Sequence, residues 1–149
     1  MNLYSKRWWA GVIVAAGLLG ACGGSSDSSG GTAANKSDWD KKNGATIKAV
    51  SIDVDESNSA LDKGDRVAIL SACNQLKSDV ADARKGLPVP DATVDGALKA
   101  GLDSAGSAAD SCVNAARNTA ADPVEQAQRD MKAARTKFDD AQKAIAAWQ

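Results

Sequence analysis

The side chains able to do covalent or acid–base chemistry are few, and their spacing excludes most reactions. Histidine is absent, which removes the commonest general base and metal ligand. Ser104 lies in Gly101-Leu102-Asp103-Ser104-Ala105-Gly106, a poor imitation of a nucleophile elbow. The first glycine is one position too far away, and no histidine completes a triad. Asp53, Asp55, Ser57 and Asn58 superficially suggest a calcium loop. The sixth position is Asn58 rather than glycine and the twelfth is Gly64 rather than glutamate, so two required features are missing. That run reads instead as a solvated acidic helix face. Nothing converges two carboxylates across a cleft, and no phosphate-cradling glycine loop opens a helix after a strand. No catalytic residue, metal ligand or cofactor site is expected, and the chain reads as a non-enzyme.

The remaining reactive groups are three thiols, Cys22, Cys73 and Cys112. Cys22 closes a patterned leader. Lys6 and Arg7 form a positive start, and Trp8 to Gly20 is an apolar run of 13 residues. A bilayer span needs about 20 residues, so this is the length of a signal-peptide core rather than a membrane helix. Leu19-Gly20-Ala21-Cys22 resembles the lipobox of bacterial lipoproteins, with a branched aliphatic residue, two small residues and a cysteine in order. The resemblance implies a signal peptide over residues 1–21, cleavage before Cys22, and a diacylglycerol on the Cys22 thiol. Two chains on one cysteine supply the double signal that stable anchoring requires. The expected location is the outer face of the cell membrane, or the outer membrane of a two-membrane host, since Gly23 rather than aspartate follows the cysteine.

Residues 22–37 then read as the lipidated cysteine and a Gly/Ser-rich tether. Gly23 to Ser37 contains no large apolar side chain and has a coil reach of roughly 20 Å. With Cys22 acylated, Cys73 and Cys112 are left in an oxidising compartment, and two thiols permit one intramolecular pairing. No CxxC spacing and no histidine support a redox or metal pair. A Cys73–Cys112 disulfide is expected.

The elements that must position these groups are helical. Residues 38–149 are expected to form an all-α domain, a small antiparallel bundle of three to four helices with one inter-helix disulfide. Alanine, the best helix former, accounts for 26 of the 128 residues from Cys22 onward. The last helix is expected to start at Asp122 as N-cap with Pro123 in the first turn. Its stripe is Val124, Ala127, Met131, Ala134, Phe138, Ala141, Ile145 and Trp148, a heptad repeat that serves its own core or a second copy. Asp91 is expected to cap a helix whose stripe is Val94, Leu98, Leu102, Ala105, Ala109, Cys112 and Ala116. Gly96, Gly101 and Gly106 interrupt it, either for close helix approach or as softer points.

Asp65 is expected to cap a helix to about Lys85, with the stripe Leu70, Cys73, Leu76, Val80 and Ala83 and a stop at Gly86. Ile47, Val50, Val54, Ser57 and Leu61 keep helical spacing, with Gly64 as the stop. Val50, Ile52 and Val54 also alternate with Ser51 and Asp53, which fits a strand. A lone strand finds no partner in this sequence, so the helix is favoured. Ala72-Cys73-Asn74-Gln75-Leu76, LPVPD and the following Ala-rich helix with its second cysteine are similar in style to small exported helical lipoproteins of actinobacterial type, which adds only fold and location.

The net charge of −1 argues against a nucleic-acid surface, and aromatic residues make up only 4% of the chain. The expected partners are the membrane, through lipidated Cys22, and an envelope protein. The alternative function is a carrier for an apolar ligand, in a cavity among Ala105, Ala109, Ala127 and Ala134.

Overall fold

In the computed structural model of the protein, residues 31–118 and 120–148 are described. They form an all-α bundle of four helices: α1 (Gly31–Lys63), α2 (Arg66–Ala83), α3 (Ala92–Arg117) and α4 (Ala121–Ala147). Among these residues there is no strand. The signal peptide expected over residues 1–21, the expected lipidation site Cys22 and the part of the expected tether up to residue 30 lie outside the described residues.

Segment 45–63, whose alternation also fitted a strand, is helix throughout. Ile47, Val50, Val54, Ser57 and Leu61 are all buried, while Ile52, two residues from either valine and so across the helix, is 46% exposed. α1 also begins earlier than expected. Residues 31–37, read as tether on composition, are helical. Gly31 is the last glycine before Gly44, and the intervening Thr32-Ala33-Ala34 carries two strong helix formers. Farther along, the Lys36 ammonium donates to the Trp148 carbonyl at the end of α4, giving this turn a tertiary partner.

Gly64 ends α1 at φ 71°, a left-handed position that an L side chain rarely adopts. Asp65 follows at once as the N-cap of α2, accepting from the Val67 and Ala68 backbone N–H groups at 2.9 and 3.2 Å. Asp91 does the same for α3, accepting from Thr93 and Val94 at 2.9 Å each. α4 departs from expectation. It starts at Ala121 with Ala120 as N-cap and no side-chain cap, so Asp122 sits inside the first turn. There its charge complements the helix dipole, and Pro123 occupies a first-turn position whose missing N–H is not needed.

The α2 stripe is also shifted. Ile69 is buried and Leu70 only partly so. α2 gives way at Arg84–Gly86 to a 3₁₀ turn. Gly86 is not left-handed, so its role is not the helix stop read from sequence. A Cβ there would lie 2.6 Å from Asn43 Oδ1 and 3.3 Å from Asn43 Cβ. Glycine allows α1 to cross the end of α2, where Trp39 Nε1 donates to the Gly86 carbonyl at 3.0 Å. Gly86→Ala is therefore expected to lower stability by about 1–3 kcal/mol. Asn43→Ala in the same chain should return part of that loss in urea unfolding, and equal losses with and without Asn43 would refute the contact.

Leu87–Pro90 joins α2 to α3. The Val89 N–H donates to Asp95 Oδ1 at 2.9 Å, and Lys99 holds the other carboxylate oxygen at 2.6 Å. The core runs along all four helices and includes Trp39, Val50, Leu76, Leu98, Leu102, Met131 and Phe138. α3 and α4 share the most extensive contact. At one end Trp39 and Trp148 close the bundle with ring centroids 5.9 Å apart.

Candidate functional site

Cys73 of α2 and Cys112 of α3 are both 0% exposed and disulfide-bonded, with Cα atoms 5.9 Å apart. That separation lies within the ordinary range for a disulfide. α2 leads up to the linker and α3 away from it, so a bond spanning 39 residues of sequence can join neighbouring turns of two antiparallel helices. The bond is a buried staple, with no exposed thiol chemistry.

Ser104 lies mid-way along α3 rather than on a strand-to-helix turn, so the elbow geometry is absent. The candidate cavity alanines Ala105, Ala109, Ala127 and Ala134 are each 0% exposed, two on α3 and two on α4. Nearby, a Cβ on Gly101 of α3 would meet the Phe138 ring of α4 at 3.3 Å and the Lys137 carbonyl at 3.6 Å. Small residues here bring two backbones together. A Cβ on Gly106 would lie 3.3 Å from the Arg84 guanidinium of the 3₁₀ turn and 3.7 Å from the Val80 side chain of α2, whereas the space beside Gly96 is open.

The acidic run of α1 does not form a uniformly solvated face. Its members separate around the helix. Asp55 pairs with Arg135 of α4, which also holds Asp139 at 3.1 Å. Asp62 accepts from Gln128 at 3.0 Å. These contacts cross a shallow groove between α1 and α4 whose floor includes Val54 and Met131. Asp53 and Ser57 instead turn inward and are 8% and 0% exposed. Both Asp53 Oδ2 and Ser57 Oγ are buried and find no hydrogen-bond partner among the described residues. Burial first, then the neighbouring Asp79 and the charge of Glu56, push the Asp53 carboxyl up from 3.8 to about 7. Asp95 shows the contrast, since hydrogen bonds from Lys99 and the Val89 backbone hold its carboxyl below the usual value.

Sequence reasoning missed Asp53 as a distinctive residue. The signal was available in its position between Val50 and Val54 on the inward side, but the acidic neighbours Asp55 and Glu56 mask it. Among the described residues, no group of three or more Cys, Asp or Glu side chains is placed to hold a metal ion. No helix among them is long and apolar enough to cross a membrane. Comparison with protein-family models, with curated proteins and with solved structures yields no match to this chain.

Proposed function

We propose that the protein is a lipid-anchored extracytoplasmic lipoprotein whose helical domain is a non-enzymatic interaction module of the cell envelope. The observation that carries this reading is Leu19-Gly20-Ala21-Cys22, preceded in order by Lys6-Arg7 and a 13-residue apolar run. A thiolate is the nucleophile that accepts the lipid, and the small residues before it suit a peptidase that must approach the backbone closely. The buried Cys73–Cys112 bond supports the same compartment, because structural disulfides persist in oxidising surroundings. The surface carries dispersed ion pairs rather than a single-sign field, which suits a protein partner better than a nucleic acid.

The test is maturation in a bacterial host with lipoprotein-processing enzymes. Wild-type chain is expected to incorporate a labelled fatty acid and lose its leader. Cys22→Ala is expected to remain an unlabelled, full-length precursor. Normal processing of that variant would reject the anchor. In-cell crosslinking of the anchored domain tests the interaction role, and an absence of envelope proteins above a surface-scrambled control would count against it.

A further inference from the structure

α1 begins at Gly31, so only residues 23–30 separate it from Cys22. That length of chain spans at most about 30 Å. The bundle end that holds the start of α1 and the end of α4 therefore stays close to whatever holds Cys22. The opposite end, where Gly64 turns α1 into α2, is about 50 Å away along α1.

The near end carries an apolar groove between α1 and α4. Trp39 and Ile47 line it from α1 and Ile145 and Ala146 from α4, with Asp40 and Lys48 as charged neighbours. The Trp39 N–H is already given to the Gly86 carbonyl, so its ring offers the groove no further donor. Beside the groove, Lys41, Ala45, Lys48 and Ile52 follow at helical spacing on the exposed face of α1. Ile52 and Val67 are the exposed large apolar side chains among the described residues, and Val67 is at the opposite end. Charge follows the same division. Residues 36–52 contain four lysines and two aspartates, whereas residues 53–149 contain 12 Lys+Arg against 16 Asp+Glu. Lys42 and Lys48 form no ion pair among the described residues, and the nearby α4 acids Asp139 and Asp140 are taken up by Arg135 and Lys143.

We infer that this face of α1, with the groove beside it, docks on the anionic phospholipid leaflet that holds Cys22, so that the domain lies on the membrane rather than standing off it. The inference rests on the lipid anchor proposed above. Apolar side chains flanked by lysines suit the boundary between headgroups and acyl chains. Each lysine near an anionic leaflet strengthens binding about fivefold. A short tether supplies an effective concentration on the order of millimolar, so a contact too weak to recruit a free protein holds a tethered one.

From Cys22 onward the tryptophans are Trp39 and Trp148, which sit together at this end, so the fluorescence of the mature chain reports on it alone. Host-processed protein is placed in vesicles of equal parts phosphatidylglycerol and phosphatidylcholine, with brominated or ordinary acyl chains. A second arm makes the anchor independent of acylation. The disulfide-bonded full chain, with Trp8→Phe and Trp9→Phe, is coupled to maleimide lipid through Cys22, the thiol outside the Cys73–Cys112 bond. Brominated lipid is expected to quench the fluorescence in both arms, less so at high salt. Lys48→Glu/Ile52→Ser, two changes at exposed positions, is expected to lower the docked-to-undocked ratio by about 30-fold or more, since the lysine change alone moves two charges. Val67→Ser is expected to leave it unchanged.

Vesicle-bound protein whose fluorescence is blind to brominated lipid would overturn the docking, and so would quenching that survives Lys48→Glu/Ile52→Ser. Fluorescence that responds instead to protein density on the vesicle would give this face to a second copy and overturn it equally. Failure to bind vesicles in the first arm alone would reject the acylation, while the second arm still decides the docking.

Discussion

Reducing the Cys73–Cys112 bond is expected to lower the stability of the bundle by about 4 kcal/mol, the largest effect of any single covalent change. The bond closes a loop with a sequence separation of 39, and the chain-entropy relation gives about that value for such a length. For a domain of this size the corresponding fall in Tm is on the order of 15 °C. The dependence should be strong because much of the core is alanine, including Ala105, Ala108, Ala109, Ala115, Ala127, Ala134 and Ala141. An alanine buries little apolar area compared with leucine or phenylalanine, so the hydrophobic term per buried residue is small. Thermal unfolding with and without reductant, and of Cys73→Ser/Cys112→Ser, measures the effect. A Tm unchanged by reductant would show that the bond does not constrain the unfolded chain. Because both sulfurs are buried, reduction of the native protein should also be slow unless the bundle first opens.

Most of this architecture was legible because local signals and periodicity agree. Asp65 and Asp91 cap their helices as their positions ahead of apolar stripes imply. The α4 stripe from Ala127 to Ala141 is buried at every expected position.

The departures have physical causes. A heptad stripe describes a helix with one partner, whereas α1 packs against both α2 and α4. Its buried arc is correspondingly wider and takes in Ser51 and Asp53, which a search for apolar residues passes over. The start of α4 was misplaced because Asp-Pro suits either a cap or a first turn, and backbone geometry decides between them. Gly86 looked like a helix stop, yet its role is set by Asn43, far away in sequence. Composition likewise could not show that Lys36 reaches Trp148, and so the tether was read as longer than the helix allows. The candidate site follows the same pattern. The disulfide was legible by arithmetic, while the burial of Asp53 depends on which side of α1 faces the other helices.

Removing the ring of Phe138 should be nearly as damaging as opening the disulfide, at about 3–5 kcal/mol for Phe138→Ala. Phe138 is the only phenylalanine in the chain and is 0% exposed. It stands on α4 where Gly101 lets α3 approach, with only 3.3 Å between its ring and the position a Cβ would take. Alanine neighbours cannot swing into the space, since they have no rotamers to change, so the void should persist. The complementary change, Gly101→Leu, should destabilise by about 1–3 kcal/mol or more through overpacking. If the two residues share one contact, Phe138→Ala/Gly101→Leu should be more stable than the sum of the single losses predicts, because the added leucine enters the space the ring vacated. Urea unfolding of the four chains gives the coupling directly. Strict additivity would mean that the α3–α4 crossing is held elsewhere along the seam and that glycine at 101 is incidental to the ring beside it.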